Sequence, residues 1–170
     1  MKPQELARLT VETYIKTGKM PDKPDKLEGV DVKTAGTFVS IKTMSGELRG
    51  CIGTIQAVRD SIIDEIMNNA VSSAHYDPRF SPIKQDELPN LKYSVDILHE
   101  PEKVTDFRQL DPKNYGIIIS SETGKKALLL PDLEGLDTVE KQLTACMRKA
   151  GIQVNEAVTI QRFRAERFSE

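Results

Sequence analysis

Six consecutive residues, Leu48-Arg49-Gly50-Cys51-Ile52-Gly53, place a guanidinium and a thiol between two glycines. If this segment is a strand, Arg49, Cys51 and Gly53 share one face, and Leu48, Gly50 and Ile52 the other. Two glycines so close together weaken a strand, so each needs a reason: a bulge, or the close approach of a backbone or a ligand. Arg49 offers a planar fork suited to carboxylate or phosphate. A thiolate is the form of cysteine that attacks electrophiles or binds metal, and nearby positive charge favours that form. Cys51 is therefore a candidate catalytic residue, and Arg49, Gly50 and Gly53 are candidate ligand contacts. A core cysteine beside a structural salt bridge would use the same residues, and spacing alone leaves both explanations open.

A second cluster is Asp77-Pro78-Arg79-Phe80. Asp77 suits an Asx-type turn, Pro78 fixes φ, and Phe80 can return to the core. Arg79 is left over for pairing with a carboxylate, or for anchoring a ligand beside Arg49, so Asp77 and Arg79 join the candidate ligand contacts. His75 could serve Cys51 as a base, but a histidine at a helix end needs no such role. Cys51, Cys146, His75 and His99 match no metal-ligand spacing, so no metal site is expected. Arg162-Phe163-Arg164 and Arg167-Phe168 interleave basic and aromatic residues, as single-stranded nucleic acid binders do. A polar edge strand accounts for them equally well, and the acidic balance of the chain favours that account.

The elements that must position these residues follow from periodicity. Pro3 opens a helix with Ala7, Val11, Tyr14 and Ile15 on one face, and Gly18 stops it. Residues 19–34, broken by Pro21, Pro24 and Gly29, form a loop long enough to lie over part of the motif face. Residues 35–43 and 47–56 form a hairpin around Ser45-Gly46. Asp60 or Ser61 caps a helix with a stripe of Ile62, Ile66, Ala70 and Ala74, which must end near Asp77-Pro78. Residues 92–99 alternate as a strand. Residues 116–121 and 125–130 form a second hairpin with buried or central strands. Asp137 with Glu140 opens a last helix that Gly151 ends, and a final strand runs through Val158 and Ile160. Hairpins and helices cluster without strict β-α-β alternation, so an α+β fold is expected, with a largely antiparallel sheet and packed helices.

A chain of 170 residues suits one domain with a genuine core. Its 24 basic and 26 acidic residues give a formal net charge of -2, which does not favour a strongly anionic partner. The N-terminus lacks a signal-peptide pattern, and no apolar run would span a bilayer. A cytoplasmic protein with no membrane partner and with unpaired cysteines is expected.

The Leu48–Gly53 segment resembles the most characteristic motif of the AMMECR-type domain family. Further resemblance lies in Asn69-Ala70, in Asp77 to Phe80 followed by Pro82, and in Tyr93 to Leu98 with Pro101 after it. Gly124 to Ala127 through Leu130-Pro131, and Cys146 to Gly151, are similar too, so the likeness spans nearly the whole chain. It implies a mixed fold with a large and a smaller lobe and a cleft between them. It also implies partnership with Memo-like and radical SAM proteins, but no established activity and no agreed catalytic residue. Three functions compete: a small-molecule enzyme or enzyme subunit, a protein-interaction scaffold, and, least favoured, nucleic-acid binding. A ligand pocket would separate the first, an exposed apolar patch the second, and a basic stripe the third.

Overall fold

The computed structural model describes residues 1–170. Three helices and two antiparallel sheets form two compact units, Met1–Leu98 with Glu166–Glu170, and His99–Ala165.

In the first unit, helix α1 (Pro3–Thr17) begins at a proline and ends at Gly18, which takes the left-handed conformation open to glycine. Strands β1 (Thr37–Thr43) and β2 (Leu48–Gly53) form the expected hairpin. Helix α2 (Ile62–Val71) is capped by Ser61, whose hydroxyl accepts the Asp64 N–H, and so the cap is Ser61 rather than Asp60. The helix then widens into a π turn, Ser72–Tyr76, and stops at Asp77, immediately before Pro78. Strand β3 (Leu91–Leu98) pairs with the whole of β1, from Thr37 opposite Ile97 to Thr43 opposite Leu91. The isoleucine face of α2 packs on this sheet in one core with Leu6, Val39, Ile41, Tyr93 and Val95. Truncating one such fully buried side chain to alanine costs about 2–5 kcal/mol.

Loop 19–34 has no regular structure beyond a turn, as expected. Leu27 is buried in the core, Lys23 pairs with Asp64, Glu28 pairs with the N-terminal amine, and Gly29 lies against the Phe168 ring. Those anchors hold it to the helices and the C-terminal strand.

In the second unit, the short strand β4 (Glu102–Lys103) was not expected from the sequence. Strands β5 (Gly116–Ser121) and β6 (Lys126–Leu129) form the second hairpin. Helix α3 (Val139–Ala150) differs from expectation at its start: Thr138 is the cap, accepting the Lys141 N–H. Asp137 instead pairs through its carboxylate with the Lys141 ammonium at 2.6 Å. Strand β7 (Val158–Phe163) pairs with β5, which makes β5 central in the order β4-β7-β5-β6 and explains its unbroken run of isoleucines.

The chain then returns as β8 (Ala165–Ser169), the polar edge of the first sheet, whose order is β2-β1-β3-β8. Arg162 and Arg164 flank the Tyr115 ring, with their guanidinium carbons 4.2 and 5.1 Å from its centre. Arg162 also pairs with Glu102, and Arg167 with Asp96 at 2.7 Å. The basic and aromatic residues of this segment are thus occupied within the fold. No helix is long and apolar enough to cross a membrane.

Candidate functional site

The site is built by one line of buried polar residues on a helix whose buried face is otherwise apolar. Glu65, Asn69, Ser73 and Asp77 recur every four residues, and all are buried. Four residues turn an α-helix by about 400°, so such a line drifts around the axis. The π turn at Ser72–Tyr76 turns less per residue and brings Asp77 back over β2.

Each member of this line satisfies backbone or side-chain groups of the hairpin and its exit. Glu65 accepts the Thr54 hydroxyl at 2.6 Å and the Val58 and Arg59 N–H groups at 2.9 Å each. Asn69 donates to the Thr37 carbonyl and hydroxyl. The Ser73 hydroxyl accepts the Ile52 N–H at 2.8 Å and donates to the Val39 carbonyl at 2.8 Å. Asp77 Oδ2 accepts the Cys51 N–H at 2.9 Å. As the edge of the sheet, β2 would otherwise leave the Cys51 and Ile52 N–H groups short of partners, so Ser73 and Asp77 stand in for a further strand.

The two glycines of β2 now have physical reasons. A Cβ at Gly50 would lie 2.1 Å from the Ser73 carbonyl oxygen, so only glycine admits the π turn this close. A Cβ at Gly53 would meet the Phe38 ring at 2.3 Å and the Thr37 carbonyl at 2.4 Å. Both glycines are filled by the protein's own atoms.

Arg49 is the extra residue of a β-bulge, because Ile41 pairs with Gly50 while Lys42 pairs with Leu48. A bulge re-aims a side chain, and here it sends Arg49 to the segment after the π turn. Its Nε and Nη2 donate to both oxygens of Glu87 at 2.7 and 3.0 Å, and its Nη1 donates to the Ser81 carbonyl at 2.9 Å. The Arg49 side chain is only 14% exposed. This guanidinium holds Glu87 below the usual carboxylate range. All three Arg49 nitrogens are used within the fold, an arrangement that clamps the 81–87 segment.

Arg79 is the opposite case. Its Nε donates to Asp77 Oδ1 at 3.0 Å, and its Nη2 donates to Asp77 Oδ2 at 2.8 Å and to the Cys51 carbonyl at 3.0 Å. Nη1 makes no hydrogen bond within the chain, and the side chain is 55% exposed. Asp77 lies 2% exposed beneath it, and the Arg79 fork is the main reason its pKa is held down at about 2. The pair grips both the N–H and the carbonyl of Cys51.

The Cys51 thiol is free and half-buried. Its Sγ lies 3.2 Å from the Ser40 hydroxyl, and strand register places Cys51, Ser40 and Ser94 side by side on the face opposite the helices. Asp96 lies two residues along the same face of β3. Cys146 is also free but fully buried in the second unit, where burial pushes its thiol up to about 11.

The structure thus brings Cys51, Asp77 and Arg79 together and ties Arg49 to Glu87 instead. His75 is exposed on the far side of the π turn, in edge contact with the rings of Tyr14 and Tyr76 at 5.9 and 4.8 Å. No group of three or more His, Cys, Asp or Glu side chains is arranged to hold a metal ion. Ser73 and Ser40 escaped sequence reasoning. The step of four from Glu65 to Asp77 was the signal for Ser73, and register across the Ser45-Gly46 turn was the signal for Ser40.

Two antiparallel four-stranded sheets with three helices define this chain as a mixed α+β protein whose glycine-flanked Cys51 strand is buttressed by a polar helix line. The AMMECR1 family model matches residues 4–168, and the chain belongs to that family. A protein of Clostridium acetobutylicum is 46% identical over 169 residues, a match covering 98% of this chain and 35% of that one, so this chain spans about a third of its length. A Thermotoga maritima protein is 42% identical over 160 residues, covering 93% of this chain and 91% of the relative. The crystal structure of an uncharacterized protein from Pyrococcus horikoshii has a similar fold, with a TM-score of 0.87 at 30% identity, covering 99% of this chain and 89% of that one.

Proposed function

We propose that the Cys51 strand and the Asp77–Arg79 turn form a small-molecule site, in which Arg79 anchors an anionic group beside the Cys51 thiol. The observation that carries this is the division of labour within Arg79. Its Nε and Nη2 fix it to Asp77 and to the Cys51 carbonyl, while its exposed Nη1 is left unused. A guanidinium held rigidly at one edge and open at the other is prepared for a carboxylate or phosphate oxygen, because little ordering remains to be done on binding. The thiol supplies a nucleophile at the same backbone position. Arg49, Gly50 and Gly53 position this site from within the fold.

We assign the domain as an enzyme or enzyme subunit on this basis, with Memo-like and radical SAM proteins as its partners. The partners are supported by family resemblance alone, whereas the ligand site is supported by geometry.

Native mass spectrometry of protein purified from its own host tests the site. A bound anionic small molecule is expected in the natural protein; it should be lost in Arg79→Ala and weakened in Arg79→Lys, which keeps a positive charge beside Asp77 but loses the fork. Retention of the same ligand by Arg79→Ala and by Cys51→Ala would overturn the proposal.

A further inference from the structure

The π turn has a second side. Ser73 and Asp77 face β2, whereas His75 is exposed away from it and meets the end of α1. There, Tyr14, Gly18, His75 and Lys84, with Ile15 and Ile83 as apolar walls, line an open cavity of about 450 Å³. That volume is within the usual range of small-ligand sites, about 300–1,000 Å³. The Ile83 N–H donates to the Ala74 carbonyl at 2.9 Å, which pins the Ile83 wall to the π turn.

Three features give this cavity a chemistry. The His75 ring is fixed by edge contacts with Tyr14 and Tyr76, whose hydroxyls lie 3.4 Å apart, so an aromatic surface is preset. Lys84 has no carboxylate partner, because the carboxylate near its backbone, Glu87, is occupied by Arg49 and accepts the Lys84 N–H rather than its ammonium. The α1 end near Gly18 presents helix carbonyls, whose partial negative charge repels an anion and would turn it toward Lys84.

From these we infer that the cavity between the end of α1 and the π turn binds a planar aromatic carboxylate, its ring against His75 and Tyr14 and its carboxylate toward Lys84. This site is separate from the one at Cys51.

Titration of the ¹⁵N-labelled chain with benzoate, followed by amide NMR shifts, tests the inference. Saturable shifts are expected at Gly18, His75 and Lys84. Lys84→Gln should weaken benzoate about two- to fivefold, the effect of one lost ion pair in a partly exposed site. Neutral benzamide should bind the natural protein as weakly as benzoate binds that variant. His75→Ala should weaken both ligands at these amides. Lys84 and His75 are exposed, so these variants keep the fold. Shifts that fail to saturate, that centre elsewhere, or that are indifferent to Lys84→Gln would overturn it.

Discussion

The carboxylate of Asp77 accepts the Cys51 N–H at 2.9 Å while the Arg79 guanidinium reaches past it to the Cys51 carbonyl at 3.0 Å. One strand residue is thereby held from both sides by an ion pair that begins where a helix ends.

This ion pair makes acid stability depend on Asp77. Its folded-state pKa of about 2 lies below the ordinary 3.8, so its contribution is fully present above 3.8 and is lost as pH falls toward 2. A shift of this size corresponds to about 2 kcal/mol. Asp77→Asn should be less stable near neutral pH and should flatten the stability profile between those two values. Urea melts across that range measure it, and an unchanged acid profile would remove Asp77 from the latch.

Gly50→Ala should destabilise the chain by about 1–3 kcal/mol or more, as overpacking does. The added Cβ would fall 2.1 Å from a backbone carbonyl, which cannot rotate away as a side chain can. The variant should lose melting temperature even though alanine is a better strand residue than glycine. A melt within error of the natural protein would show that the π turn can move off β2.

Two Arg49 variants should separate in thermal melts. Arg49→Ala removes three charge-assisted bonds at a site where the side chain is 14% exposed, and should cost roughly 2–3 kcal/mol. Arg49→Lys should recover part of that, because it keeps the charge and loses the fork. The Glu87 carboxyl, lowered by Arg49, ties this contribution to pH as well: it is present above the ordinary carboxylate range and lost on acidification through the lowered value. Equal small losses for Arg49→Ala and Arg49→Lys would contradict the clamp.

Thiol labelling should distinguish the cysteines. Iodoacetamide should add once to the native chain, at half-buried Cys51, and twice after denaturation, because Cys146 is fully buried with its thiol pushed up to about 11. Mass spectrometry counts the additions, and Cys51→Ala should show none in the native state. Native labelling at Cys146 would refute the assignment.

Local chemistry made much of this protein legible from its residues. The start of α1 at Pro3, its stop at Gly18, the β1–β2 turn at Ser45-Gly46 and the helix end before Pro78 are all set by backbone preferences that act within a few residues. The alternation that set Cys51 apart from Ile52 is likewise a property of a strand alone. The start of α3 was less legible, since Asp137 and Thr138 are both good caps and only the backbone bend selected Thr138.

What tertiary structure decided is which charged group meets which. Arg49 and Arg79 look alike in sequence, but a one-residue bulge turned the first toward Glu87, 38 positions away, and left the second with a free edge. The four-residue spacing of Glu65, Asn69, Ser73 and Asp77 was visible, but its purpose was not. Polar groups enter a buried helix face only where partners await them, and those partners, in β1, β2 and the segment after β2, come into reach only once hairpin and helix have packed together.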